Sequence, residues 1–377
     1  MANTLTNLIP DLYEALDVVS REMVGFIPSV TLDSGIERAA INQTVRSFVA
    51  PSATASDITA AEVSPDDGDQ TIGNVSLSIT KARRVPFRWN GEETVGINSG
   101  PGMQSVKIAQ LSQAMRTLTN EIEADLAALH TTTSRAYGTP GVTPFASDLS
   151  DSAQILKILK DNGSGDDRQM VISTAAGANM RAMFQLTKAN EAADTSLLRQ
   201  GVLLDIHGFQ FRESAQILTP AIGTGATYQV NLGAGYAIGA TSIAVDTGSG
   251  TVIAGDVVTF AGDTNQYVVA TTLAAGVLVL AAPGLRKALV DDTAMTVVAL
   301  ASRNMAFTRS SLILATRMPA LPDGGDSAID RTTITDSRSG ISFEVSMYPK
   351  YRRMQYEIAA VWGVKNVKPE HTAILLG

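Results

Sequence analysis

Between residues 221 and 300 the chain changes character. Gly, Ala, Thr and Val dominate there, and Lys or Arg occurs only at Arg286 and Lys287. The stretch "AGDVVTFAGDTNQYVV" at 254–269 sets the pattern: Val257, Thr259 and Ala261 alternate with Val258 and Phe260, Gly262-Asp263 turns, and Tyr267-Val268-Val269 resumes. A period of two bounded by Gly and Asp predicts a β-hairpin. Turn signals recur at 223–225, 233–239, 248–250, 283–284 and 291–292, so the block is expected to form a small barrel or sandwich. On either side, "FRESAQIL" and "NMAFTRSSLILATR" read as two parts of one α/β unit. A β-rich block that interrupts such a unit is expected to be an insertion.

The rest of the chain is mixed. Residues 1–30 are expected to carry an amphipathic helix, with Leu12, Ala15, Val18 and Val19 on one face and Glu14, Asp17 and Glu22 off it. Residues 43–97 read as two long strands joined by a polar tip. The longest helix is expected over 101–137, where Ile108, Leu111, Met115, Leu118, Ile122 and Leu129 recur every three or four residues. Glu121, Glu123, Asp125, Gln110, Gln113 and Asn120 are placed on its wet side, with "GTPG" at 138–141 as the stop. About 30 such residues would span ~45 Å. Residues 148–220 alternate helix and strand, with Ser147, Asp148 and Ser150 as candidate caps and Asn162-Gly163 as a stop. From 302 onward, Ile341, Phe343, Val345 and Met347, then Met354, Tyr356 and Ile358, alternate as a final antiparallel pair followed by a strand-like tail.

A convincing catalytic constellation is not found. His130, His207 and His371 are far apart in sequence, with no HExxH and no pair at metal-ligand spacing. His207 before Gly208 reads as a turn residue, and His130 as a cation on a helix C-terminus. "GAGYAIGA" at 233–240 lacks the third glycine and following helix of a dinucleotide loop, and there is no Walker phosphate loop. The acidic groups Asp66-Asp67-Gly68-Asp69 and Asp323, Asp326, Asp330 lack calcium-loop spacing and read as solvated turns. No enzyme activity, cofactor or metal is therefore expected. With no cysteine, disulfides and thiolate metal sites are excluded. A net charge of −8 argues against a chain whose main work is gripping nucleic acid. The first residues lack the basic and apolar regions of a signal peptide, and the apolar stretch 271–284 is too short to span a bilayer, so a soluble, cytoplasmically assembled protein is expected.

Charge is distributed unevenly. The loop tip carries Asp57, Glu62, Asp66, Asp67 and Asp69 with no basic residue among them. Arg83-Arg84 with Arg88, and Arg352-Arg353 with Lys350, form two basic groups. These ten carboxylate and arginine positions are the candidate intersubunit contacts, the tip of one copy meeting a basic group of another. Such contacts set register and specificity more than raw affinity. The alternative is that both basic groups are solvated strand faces.

The order of parts resembles the major capsid (coat) protein of tailed bacteriophages, with the HK97-like fold, and most of all the P22 coat protein type with its inserted β-barrel. "INQTVRSFVAPSATASDITAAEVSPDDGDQTIGNVSLSITKARRVPFRW" matches the extended loop of that family, and "GPGMQSVKIAQLSQAMRTLTNEIEADLAALH" its spine helix. "LLRQGVLLDIHGFQFRESAQI" resembles the segment that announces the insertion, and "IAGDVVTFAGDTNQYVV" the insertion hairpin. The resemblance covers nearly the whole chain in layout and little of it in identity. It implies an α+β fold divided into an N-terminal arm (1–42), extended loop (43–97), spine helix (98–140), a two-part sheet region (141–220 and 301–377) and inserted barrel (221–300). It implies self-assembly into hexamers and pentamers of an icosahedral shell enclosing a phage genome. A scaffolding protein, a portal and decoration proteins are the implied partners, with DNA packaged non-specifically. The chain departs from the type at about 227–240, "TYQVNLGAGYAIGA", which carries no charge where the type has a charged contact loop. Two other classes compete. A carbohydrate-binding or adhesin module would need exposed aromatics, for which the block offers Tyr228, Tyr236, Phe260 and Tyr267. An enzyme would need a spaced acid–base pair.

Overall fold

A computed structural model describes residues 25–49, 55, 57–58, 72–98, 103–183, 186, 205–217, 219–335 and 341–377. The amphipathic stripe of residues 12–19 and the tip residues Glu62, Asp66, Asp67 and Asp69 lie outside the described residues.

In chain order the strands and helices are β1 (Thr31–Ala39), β2 (Thr44–Val49), β3 (Gly73–Ser78), β4 (Lys81–Asn90), α1 (Gly91–Asn98), α2 (Met103–Ala127), β5 (Arg135–Tyr137), α3 (Ser150–Asp161), β6 (Arg168–Ile172), α4 (Thr174–Ala182) and β7 (Phe209–Glu213). The Gly-rich block supplies β8 (Gln229–Val230), β9 (Ser242–Asp246), β10 (Val257–Phe260), β11 (Gln266–Ala274), β12 (Val277–Leu280) and β13 (Met295–Val297). The chain closes with β14 (Arg303–Thr308), β15 (Leu312–Pro319), β16 (Asp330–Thr335), β17 (Ser342–Lys350), β18 (Arg353–Asn366) and β19 (Thr372–Leu376). The class is α+β.

The long strand β18 organises the first sheet. β17 pairs with its first half and β15 with its second, while β4 runs antiparallel along the other edge. β16 and β1 add at the outside, β1 in parallel with β15. Helix α2 lies across this sheet. Its Ala114, Leu118, Ile122 and Leu126 pack with Phe343, Ile358, Ala360 and Trp362 of the sheet and with Phe26, Ile27 and Val30 just before β1. Burial of each large apolar side chain of this kind stabilises by roughly 1.5–3 kcal/mol. The second sheet runs β7-β6-β14-β19-β5 and continues through β11, β12, β9 and β8. Helices α3 and α4 cover its first part through Ile155, Leu159, Ala176 and Met180.

The 254–269 hairpin forms as expected, with Val257 opposite Val268 and Val258 opposite Tyr267. The block has its own core, in which Val258, Phe260, Tyr267, Leu278, Leu280 and Leu289 pack together. It is also stitched to the rest through β11 and β5, with Tyr267 opposite Arg135.

Several expectations are corrected. The long helix ends at Ala127, giving 25 residues, and a 3-10 turn over Ala128–Thr132 precedes β5. "GTPG" is not what stops it. Three successive threonines are: Thr131, Thr132 and Thr133 turn their hydroxyls back onto the carbonyls of Ala128, Leu129 and His130. β-branched side chains bonded to the preceding turn compete with helix continuation. The second strand of the extended loop is divided. Only β3 pairs with β2, as a six-residue ribbon, whereas Lys81–Asn90 belongs to the sheet. Residues 91–97, placed in the β-loop, start a helix, and residues 31–39, placed in the arm, form β1. Just before His207 an isolated bridge joins Ile206 to Phe209, and residues 187–204 lie outside the described residues. His207 itself turns the chain in the left-handed region at φ 53°. His130 is not a cation in solvent. Burial pulls its pKa below the ordinary imidazole range, and Nδ1 lies 3.0 Å from the Ala127 carbonyl oxygen.

The largest correction is Glu123, expected on the wet side of α2 and found fully buried. Its carboxylate accepts N–H bonds from Phe26 at 2.9 Å and Ile27 at 3.2 Å and lies 3.5 Å from the Ser214 hydroxyl. It thereby caps the 3-10 turn Ile27–Ser29, whose first N–H groups have no partner within the turn. Burial raises its pKa to about 7, and the donated hydrogen bonds only partly oppose this.

Candidate subunit interface

Two features stand outside the packed sheets. The first is the β2–β3 ribbon. Its register runs from Thr44 opposite Ser78 to Val49 opposite Gly73. At its root Leu77 and Ile79 are buried, and the Lys365 ammonium donates to the Ser76 carbonyl at 2.7 Å. Ile41, at the root, and Ile58 and Ile72, beyond it, are exposed. Asp57 is exposed as well.

The second feature is the turn between β17 and β18. Lys350 is opposite Arg353, so Tyr351 and Arg352 make a two-residue connection, with Arg352 in the left-handed region at φ 56°. Gly or Asn is the usual solution at such a position. Here an arginine sits beside Tyr351, a residue that is 88% exposed. The turn forms one wall of a cleft of about 940 Å³; Arg88 and Trp89 of β4, Glu92 and Glu93 of α1, and Lys107 of α2 complete the lining.

The cleft walls are held rigidly. Trp89 donates from Nε1 to the Gln110 side-chain oxygen at 2.9 Å. Asn90 and Glu93 exchange hydrogen bonds at 2.7 and 2.9 Å, a reciprocal cap on α1. Phe87 stacks on Tyr356 at 5.2 Å between centroids, and the Lys107 ammonium stands 5.1 Å over the same ring while bonding its hydroxyl at 3.1 Å. Lys350 donates to the Gln355 side chain at 2.6 Å. Among the described residues Arg352 and Arg353 have no ion pair.

The candidate contact residues divide. Arg83 and Arg84 are engaged within the chain: Arg83 Nε lies 2.9 Å from Glu121 and Arg84 2.6 Å from Glu357, whose hydrogen bond raises the arginine pKa. Lys81 bridges Glu121 and Asp125 at 3.0 and 2.7 Å. Arg88, Arg352 and Arg353 all line the cleft. Sequence reading missed Lys107 and Tyr356. The available signal was that Lys107 sits on the first turns of α2 without an acidic neighbour at helical spacing.

Other groups are occupied structurally. Asp326 accepts from the Tyr348 hydroxyl at 2.7 Å and pairs with Arg331. His207 Nδ1 lies 2.8 Å from the buried Ser152 hydroxyl. Among the described residues no group of three or more His, Asp or Glu is placed to hold a metal ion, and no helix is long and apolar enough to cross a membrane. In the Gly-rich block Phe260 and Tyr267 are buried. The Tyr236 hydroxyl accepts from the Ala244 N–H at 2.7 Å, and Tyr228 donates to the Gly250 carbonyl at 2.9 Å. The four aromatics on which a sugar-binding reading rests thus serve the block's own fold.

No family model matches the chain, and no curated protein matches it. Among solved structures it is similar to one from Mycobacterium phage Che8, with 14% identity and a TM-score of 0.44 over 100% of this chain and 93% of that one. It is similar to the mature capsid of bacteriophage PhiM1, with 9% identity and a TM-score of 0.49 over 100% and 90%. It is also similar to the capsid of a native GTA particle, with 8% identity and a TM-score of 0.49 over 100% and 95%.

Proposed function

We propose that this chain is a major capsid protein of the HK97-like fold, a structural subunit without catalytic work that assembles into the hexamers and pentamers of an icosahedral shell around a phage genome. The observation that carries the reading is the β2–β3 ribbon: two paired strands, flanked in the chain by the exposed Ile41, Ile58 and Ile72 and rooted on a sheet that a 25-residue helix backs. A lone two-stranded ribbon is marginal in water, and a surface on which to lie stabilises it. A neighbouring copy supplies that surface. Many weak repeated contacts then add through multivalency and close a symmetric shell.

In this reading the chain before β1 is the N-terminal arm, β2 and β3 with the segment between them are the extended loop, α2 is the spine helix, the sheet strands and helices outside 221–300 are the plate, and 221–300 is an inserted domain of the P22 type. The contact candidates are Asp57, Glu62, Asp66, Asp67 and Asp69 on the loop, with Arg88, Arg352 and Arg353 as their counterparts. Arg83 and Arg84 contribute mainly within the subunit. Scaffolding, portal and decoration proteins are the expected partners, and assembly takes place in the host cytoplasm.

Negative-stain electron microscopy with light scattering on the expressed chain tests the reading. Closed shells, tubes or sheets of capsomers are expected. A monomer or dimer that persists under crowding and with a co-expressed scaffolding protein would refute it.

A further inference from the structure

We propose that the Glu123 carboxyl group is a proton-operated latch: while protonated it fastens residues 25–30 to α2 and to the end of β7, and its ionisation releases that segment while both sheets stay folded. The inference does not depend on the shell reading above.

Geometry makes the segment separable. Fully buried on α2, Glu123 receives the N–H groups of Phe26 at 2.9 Å and Ile27 at 3.2 Å. Ser214, directly after β7, brings its hydroxyl to 3.5 Å from the same carboxylate, so one side chain joins three parts of the fold. The Ser29 hydroxyl turns back on the segment's own Gly25 carbonyl at 2.7 Å. The apolar grip is Phe26, Ile27 and Val30 in the core around α2, with Phe26 stacked on Phe307 at 6.2 Å between centroids. Residues 25–30 belong to no sheet, because β1 begins at Thr31. The segment can therefore leave without unpairing a strand, which is the condition for a local opening below the cost of global unfolding.

Charge supplies the trigger. The largest influences on Glu123 are its burial, which favours the neutral acid, and the opposing donors of Ile27, Phe26, Gly25 and Ser214; no ionised side chain is among them. The charged groups on the elements around it are engaged elsewhere. Glu213 of β7 pairs with Arg181, Glu121 with Lys81 and Arg83, and Asp125 with Lys81 and the Trp362 indole. Arg309 donates to the Pro28 carbonyl at 2.8 Å and stands 3.9 Å from Asp167. Arg212 of β7, alongside Val171, and Arg116, two turns earlier on α2, are not among those influences either. Once ionised, Glu123 is a buried charge without a counter-ion, and opening the segment gives it water.

Hydrogen–deuterium exchange of the full chain, read peptide by peptide and corrected for the intrinsic rate, tests this. The opening of residues 25–30 is expected to rise about fifty-fold between pH 5 and 7.5, from a pKa of 4.5 in the open form and about 7 in the closed one. At each pH it is expected to exceed the opening of residues 358–362 in the first sheet. In Glu123→Gln the rise is expected to vanish while residues 358–362 stay protected. Phe26→Leu weakens the apolar grip and leaves the carboxyl group in place, so it is expected to open the segment more at every pH with the same rise. A segment that exchanges no faster than residues 358–362 at any pH opens only with the whole fold and overturns the latch. An opening that is flat with pH in the wild type or in Phe26→Leu, or one whose rise persists in Glu123→Gln, overturns it as well. If Glu123→Gln does not fold, the wild-type and Phe26→Leu profiles decide.

Discussion

Glu123 makes folding stability depend on pH in a direction opposite to that of most carboxylates. Burial raises its folded pKa from 4.5 to about 7. Below pH 4.5 the group is protonated in both the folded and unfolded chain, and its contribution to stability is fully present. As pH rises from 4.5 the unfolded chain loses its proton first, while the folded chain keeps it. Stability therefore falls until the folded group ionises near pH 7 and changes little beyond. A gap of about 2.5 pKa units at ~1.4 kcal/mol per unit gives a loss of about 3 kcal/mol. Glu123→Gln removes the titration. The amide still offers one oxygen to the Phe26 or Ile27 N–H, so the 3-10 turn keeps part of its cap.

The assay is urea denaturation of the wild type and Glu123→Gln at half-unit steps from pH 4 to 8. Other titrating groups are common to both proteins and cancel in the difference. The stability of wild type minus variant is expected to fall by about 3 kcal/mol between pH 4.5 and 7.5, with most of the change between 5 and 7. A flat difference, or one that rises with pH, would refute the reasoning. Either result would mean that the hydrogen bonds from Phe26 and Ile27 outweigh desolvation and hold the group as a carboxylate.

Three further outcomes are expected. Gly363→Ala places a Cβ about 2.3 Å from the Ser78 carbonyl oxygen at the ribbon root; it should cost about 1–3 kcal/mol by thermal unfolding and speed protease cleavage between β2 and β3. Trp362→Ala empties a fully buried site and strands the Asp125 oxygen it bonds at 2.8 Å, for a loss of about 3–5 kcal/mol by denaturant titration. Arg84→Ala breaks an exposed ion pair and should change stability by less than about 1 kcal/mol, a loss that disappears in 0.5 M salt.

The local features were the legible ones. The β10–β11 hairpin, α3 with its Asn162-Gly163 end, the β17–β18 pair and the strand–helix alternation of 148–220 each follow from periodicity and turn chemistry within about fifteen residues. What the sequence hid depends on partners far away in the chain. Lys81–Asn90 reads like the continuation of β3, and it became a sheet strand because β18, some 270 residues later, offers an edge. Glu123 reads as the polar side of an amphipathic helix. The buried face of α2 is wider than its apolar stripe, because the segment before β1 covers it and brings N–H donors that need an acceptor. Charge counting singled out the Arg352–Arg353 turn together with Arg83 and Arg84, and it could not separate the one group from the other. Glu121 and Glu357, the carboxylates that engage Arg83 and Arg84, come from other elements.

The separation of ribbon root and basic turn along β18 bears on the kind of assembly the proposed shell requires. A contact between the same patch on two subunits closes as a two-fold dimer and stops. Ser76 meets Lys365 at the ribbon root, and Arg353 stands twelve residues away on the same strand, about 40 Å at ~3.3 Å per residue. A ribbon that lies on a neighbour at any patch other than its own counterpart makes a heterologous contact. Such contacts propagate, and they close into rings when the rotation between copies divides a full turn. The five-fold and six-fold rings of the proposed shell require nearly the same contact at slightly different rotations. A two-stranded ribbon rooted on the sheet suits that requirement better than a broad, close-packed face would, because a gap of about 1 Å already forfeits up to half of the attraction in a close-packed contact.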